Sequence, residues 1–402
     1  MKNLFKIINI LKKNKIINKL YIFIKKYPFY IILGILLLIY TYQTVSVFYS
    51  INSYISDEVW YAPSSYNIMT KIFHLNINQT VPFPSGKDLT NYFNLEQPPL
   101  AKYIIGIFIY FLGYNYWVWR IPSWILGDLI IILSFLITRK IVGNNIFGNI
   151  AGIITSVLII SDPNLWIMHG IAMLDIYVSF FSLLSLYYLT KDDILKSAIS
   201  FGLAFSSKFP GAFLIFPLLY YIKGINISRI KRFLYVVIFP LLVYLSLNLP
   251  LIIYFGFSSW FNQSFLGALE WDITSGHIVN APNQISSPWQ WLLNINPFYL
   301  GTYSGNNLYL NSFYALVNNY IMILWLILTP LIFILKDKKV TVSYLYPLSI
   351  YLEFFLVYFL GNTTIFTYYV TDFMPMVYIY VVSSLFLLGL RYYKKEINVQ
   401  TN

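Results

Sequence analysis

The sequence predicts an all-α, polytopic membrane protein: about ten transmembrane helices and two long outer loops carrying interfacial helices. Three observations predict it. Of 402 residues, 58 % are apolar and only 10 % charged, whereas a soluble domain carries about 25 % charged residues. Uncharged runs near the roughly 20 residues needed to cross a hydrocarbon core recur along the chain. Lys and Arg fall in short clusters between those runs, so the net charge of +12 reads as topology and not as nucleic-acid binding. The chain has no cysteine, which removes disulfides, thiolate metal sites and cysteine nucleophiles.

In order, residues 1–27 carry eight lysines and no cleavage site follows the first apolar run, so they read as a basic cytoplasmic arm before an uncleaved span. Spans are expected at 29–48, 121–138, 145–161, 171–190, 233–255, 316–335, 340–360 and 372–390. Shorter runs at 197–207 and 209–222 flank Lys208 as a hairpin of two more. The stretch 98–113 contains Pro98, Pro99 and Lys102. If it lies along the outer face, 22 of the 27 basic residues and both termini stay cytoplasmic. If it crosses, the five later clusters flip outward, against the positive-inside rule. The expected organisation is the arm, a membrane module over 28–255 with a first outer loop at 49–119, a second outer loop at 256–315, and C-terminal helices over 316–402.

Eleven of the fifteen carboxylates then lie outside or at membrane depth, where ionisable groups are costly and point to function. Four segments carry the candidate chemistry, the second of them followed by an arginine at the mouth of the next span. Asp57-Glu58 follows the first span, close enough to the lipid surface to hold a general base and a tuning neighbour. Glu96 precedes Pro98-Pro99, which can open a helix ending its first turn at Lys102. Arg120, in Trp119-Arg120-Ile121-Pro122-Ser123, has the planar fork that grips phosphate. Asp175, in Ile171-Ala172-Met173-Leu174-Asp175, sits too deep for a surface acid. Lys208 stands at the hairpin apex in Lys208-Phe209-Pro210-Gly211, a point charge suited to phosphate. Each segment alone has an ordinary structural reading: a solvated acid, a snorkelling lysine, an interfacial anchor. His74, His169 and His277 lack metal-ligand spacing and read as packing residues.

Taken in order, these segments resemble the protein O-mannosyltransferase family and its relative that transfers aminoarabinose to lipid A, within the GT-C class of membrane glycosyltransferases. The resemblance runs from about residue 50 to 222. Ser287-Pro288-Trp289-Gln290-Trp291-Leu292 resembles the family's Ser-x-Trp-x-Trp segment, and Phe366 to Val370 is a weaker echo of its Phe-x-Tyr-His-Tyr. Gln97 stands in place of the usual histidine, Ala101 of glycine and Tyr369 of histidine. The loop at 256–315 is too short for the large luminal domain of eukaryotic members.

The resemblance implies a transfer, with inversion, of a hexose such as mannose from a polyprenyl-phosphate donor to a hydroxyl acceptor. The acceptor is a protein, glycan or lipid, and the face non-cytoplasmic, in the cell membrane or, in a eukaryote, the endoplasmic reticulum. It implies catalytic roles for Asp57, Glu58 and Glu96, with Asp57 as base, and substrate binding by Lys102, Arg120, Asp175 and Lys208. Relatives differ on a divalent cation, for which Asp57 and Glu96 are the available oxygen ligands. Two other classes fit the same charges: a transporter or flippase of lipid-linked sugars, and an inactive assembly partner. Acids gathered on one side, with no internal repeat, favour the one-sided enzyme.

Overall fold

A computed structural model describes residues 26–274, 284–304 and 310–400. The basic arm lies almost wholly outside the described residues, as does His277. In chain order the helices are α1 (Pro28–Tyr49), α2 (Glu58–Asn67), α3 (Leu100–Leu112), α4 (Ile121–Val142), α5 (Ile146–Ile160), α6 (Pro163–Gly170), α7 (Asp175–Thr190) and α8 (Ile194–Phe205). After them come α9 (Ile215–Lys223), α10 (Arg229–Phe255), α11 (Asn319–Ile327), α12 (Leu331–Leu335), α13 (Lys338–Leu360) and α14 (Met374–Gln400). A further helical run covers 257–274.

The starts of these helices follow local chemistry. Pro28, Pro122 and Pro163 occupy first-turn positions, where a missing N–H costs nothing. Asn145, Asp162, Asp193, Asn318 and Asp337 cap α5, α6, α8, α11 and α13 with their side-chain oxygens, satisfying amides that the helix leaves free.

The bundle is all-α in its membrane part, but the expected ten crossings are not confirmed. Among the described residues five helices are long and apolar enough to span: α1, α4, α10, α13 and α14 as far as Tyr393. The pair α5 and α6, bent by 71° at Ser161-Asp162, would make a sixth. The other expected spans are short or interrupted. At 1.5 Å per residue the 16 residues of α7 reach only about 24 Å, short of the roughly 30 Å core. Thr329-Pro330 divides 316–335 into α11 and α12. The 13 residues of α3 are likewise too few to cross.

Helix α4 lies at the centre, against α5, α7 and α14. Its approach to α5 is close enough that a Cβ on Gly152 would meet the Phe135 ring at 2.6 Å. The second long loop differs from expectation in one respect: besides helix it forms a hairpin of β1 (Tyr299–Ser304) and β2 (Leu310–Tyr314), antiparallel with a bulge after Tyr299. Phe313 of β2 stacks on Phe48 at the end of α1, ring centroids 5.5 Å apart. The hairpin is thereby tied to the C-terminal end of α1, next to the Asp57 loop.

Candidate active site

Asp57 takes the N-cap position of α2 after Ser56, whose φ is 51°. An aspartate there ordinarily accepts from the helix's own amides; Asp57 caps nothing with its side chain. Its Oδ2 instead accepts a hydrogen bond from the Tyr368 hydroxyl at 3.1 Å. Burial pushes the Asp57 carboxyl up from its ordinary range, while donation from Tyr368 and the charge of Lys208 oppose that rise. A carboxyl held partly buried, aimed away from its helix and raised in basicity, is suited to taking a proton from a hydroxyl.

Asp175 and Lys208 meet beside it. Asp175 opens α7, where the helix dipole favours a negative charge. Lys208 is held in extended backbone between α8 and the 3-10 turn Phe209–Leu214. The tight hairpin needs Gly211, since a Cβ there would lie 2.4 Å from the Ala204 backbone. Lys208 Nζ is 2.6 Å from Asp175 Oδ1 and 3.8 Å from Asp372 Oδ2, and it lies 3.9 Å above the Tyr369 ring. Burial alone would lower the lysine, but Asp175 and Asp372 hold it above its ordinary value. Asp57 feels both Asp175 and Lys208 electrostatically, so the three groups share one locality.

Glu58 and Arg120, expected at the substrate, are placed otherwise. Both are fully buried and joined by two hydrogen bonds, Nε to Oε1 at 2.8 Å and Nη2 to Oε2 at 2.7 Å. The remaining arginine N–H groups go to the carbonyls of Phe48, Ile51 and Ser53. Glu58 also accepts from the amides of Ile55 and Ala172. Arg120 thus spends all five donors within the chain, leaving none for phosphate. The pair ties together the ends of α1, α2, α4 and the Ile171–Leu174 turn, and so fixes Asp57 and Asp175 relative to each other.

Lys102 is a second revision. It is fully buried, and it donates to the carbonyls of Asn94 and of Gln97, the latter at 2.8 Å. Burial pushes it down to about 7, with Glu96 opposing. Its hydrogen bonds therefore pin the 93–97 loop. On that loop Glu96 accepts from Tyr92 at 2.5 Å and Asn94 at 2.6 Å, and the loop joins the Lys208 hairpin through Leu100 N to Ser206 O at 3.0 Å. Among the described residues no group of three or more His, Asp or Glu side chains is placed to hold a metal ion. Asp57 and Glu96 each face tyrosine donors instead. His169 pairs with Tyr40 within the bundle.

The sequence reading left three site residues out: Tyr368, Tyr369 and Asp372. All lie on the 3-10 segment Thr367–Asp372, which Thr367 and Thr371 anchor to Phe298 N and Asn164. The sequence signals for them were the weak Phe366–Val370 echo and, for Asp372, its place among the eleven carboxylates outside or at membrane depth.

The dolichyl-phosphate-mannose-protein mannosyltransferase family matches residues 96–254. Over 128 residues the chain is 30 % identical to a polyprenol-phosphate-mannose–protein mannosyltransferase of Mycolicibacterium smegmatis, and over 127 residues 31 % identical to that of Mycobacterium tuberculosis. The first alignment covers 32 % of this chain and 22 % of the relative, the second 32 % and 21 %. The chain therefore spans about a fifth of the length of the curated relatives it matches. Among solved structures, ArnT from Cupriavidus metallidurans bound to undecaprenyl phosphate superposes with a TM-score of 0.57 at 14 % identity. That superposition covers 88 % of this chain and 59 % of ArnT. Over residues 96–254 the chain is therefore similar to the protein mannosyltransferase family, and its fold is that of ArnT.

Proposed function

We propose that the protein is a membrane glycosyltransferase that moves a hexose, mannose being the first choice, from a polyprenyl-phosphate carrier to a hydroxyl acceptor on the non-cytoplasmic face. The observation that carries the reading is the convergence of a non-capping, raised Asp57 with a buried lysine, Lys208. One supplies a base for the attacking hydroxyl and the other a charge for the departing phosphate. Attack from the Asp57 side, opposite the phosphate, would invert the anomeric carbon. Asp175 and Glu96 orient the sugar or acceptor. Glu58, Arg120 and Lys102 act as positioning residues.

A path for the lipid supports the same reading. A cleft of about 50 Å³ with mixed lining has Gln97, Lys208, Glu353 and Tyr369 among its walls. One helical turn further along the same two elements, an apolar groove of about 460 Å³ lies between Phe213 and Phe216 on one side and Leu348 and Leu352 on the other. Phosphate at the first and polyprenyl chain in the second match the amphipathic shape of such a carrier. The relatives' activity, polyprenol-phosphate-mannose–protein mannosyl transfer, makes protein the first acceptor to try.

Membranes containing the protein, supplied with radiolabelled polyprenyl-phosphate mannose, test the proposal. Label appearing on an acceptor, and only when the donor is on the non-cytoplasmic side, is the expected result. Movement of label across the bilayer with no new glycoside bond would instead make the protein a flippase.

A further inference from the structure

Asp372 is fully buried, and neither of its carboxyl oxygens accepts a hydrogen bond. The nearest cation, Lys208, is 3.8 Å away and already engaged at 2.6 Å by Asp175, whose own Oδ2 is also without a donor. A buried carboxylate in that state bears its full desolvation cost with little return. Two carboxylates around one ammonium would also leave the cluster net negative, repelling any phosphate.

We propose that Asp372 is held as a neutral carboxylic acid that donates its proton to the free Oδ2 of Asp175, leaving the Lys208 charge available to an incoming phosphate. One proton engages two of the three empty oxygens, one on each carboxyl group, and brings the cluster to net zero. The groups facing Asp372 agree. Asp175 from α7 and Glu353 from α13 both disfavour a second negative charge, Lys208 alone favours it, and burial is the largest influence, raising the carboxyl well above its ordinary range. Tyr369 from its own segment stacks on the lysine, Asn164 of α6 is neutral, and Tyr378 of α14 donates to Asp162. The phosphate clause rests on the transferase reading; the location of the proton does not.

Infrared difference spectroscopy on the full chain in nanodiscs reads the proton directly. At neutral pH the wild type should show a protonated-carboxyl C=O stretch that is missing from Asp372→Asn and displaced in Asp372→Glu. If both variants keep the wild-type band unaltered, the proton is elsewhere and the proposal is wrong. Binding of polyprenyl phosphate, the probe for the second clause, should weaken by about tenfold from neutral to alkaline pH in the wild type as Asp372 ionises beside Lys208. In Asp372→Asn that dependence should flatten. An infrared band that behaves as stated, with the same alkaline weakening in both proteins, would keep the proton and overturn its role toward phosphate.

Discussion

Two buried ion pairs stand near the mouth of this bundle, and they are built to opposite specifications. In Glu58–Arg120 every arginine N–H has an acceptor, and the carboxylate takes four donors. In Asp175–Lys208–Asp372 three of the four carboxyl oxygens have no donor. A buried polar network that is complete has nothing left to offer a ligand. One that is incomplete has bonding capacity in reserve, at a cost in stability that a structural role would not require. The difference supports the reading proposed above, in which the first pair holds the candidate site together and the second belongs to it. Adjacent residues divide the same way: Glu58 is sealed in the clamp while Asp57 is turned into the site.

Breaking the comparison at its functional end should produce the largest effect. Asp57→Asn should lower sugar transfer by roughly two to four decades while thermal unfolding in detergent stays at or slightly above wild type. Tyr368 can still donate to the amide oxygen, and a carboxylate disfavoured by burial is gone. At the structural end, Arg120→Met or Glu58→Gln should cost about 3–5 kcal/mol of stability, because each strands a buried charge or donor set. The loss should appear as reduced folded protein after solubilisation. Arg120→Lys should not restore it, since an ammonium cannot supply the same five-donor fork.

The pH dependence sharpens the contrast. Asp57 and Asp372 both titrate higher in the fold than in the unfolded chain. Across that window the native state holds more protons, so stability is greatest at acid pH and falls as pH rises toward the folded values. The slope approaches about 1.4 kcal/mol per pH unit for each group fully protonated only in the fold. Denaturant melts from acid to neutral pH should show a shallower slope in Asp372→Asn. The smallest expected effect tests an aspartate that does cap its helix. Asp162 accepts from Leu165 N at 2.8 Å and from Tyr378 at 2.7 Å. Asp162→Ala should cost about 1–2 kcal/mol, with the bend between α5 and α6 loosened, as read by amide exchange in α6.

Much of this was legible in the sequence. Composition and the apolar runs gave the membrane bundle, and the ordered motifs brought forward Asp57, Asp175 and Lys208. What sequence could not show was where donors go. Arg120 looked free for phosphate because nothing in Trp119-Arg120-Ile121 reveals three carbonyls converging on it from 48–53. Lys102 misled for the same reason, its ammonium being consumed by carbonyls a few residues upstream. Tyr368 meets Asp57 across 311 positions of chain, a pairing that no local pattern encodes. The count of ten spans is not confirmed where hydropathy continues through a break, as at Thr329-Pro330, since apolar runs do not report helix continuity.

Transfer from labelled polyprenyl-phosphate mannose by purified Asp57→Asn, measured alongside its melting temperature, tests the central claim most directly. The account predicts a fully folded protein with transfer reduced by at least about a hundredfold. A folded Asp57→Asn that transfers sugar at the wild-type rate would contradict it.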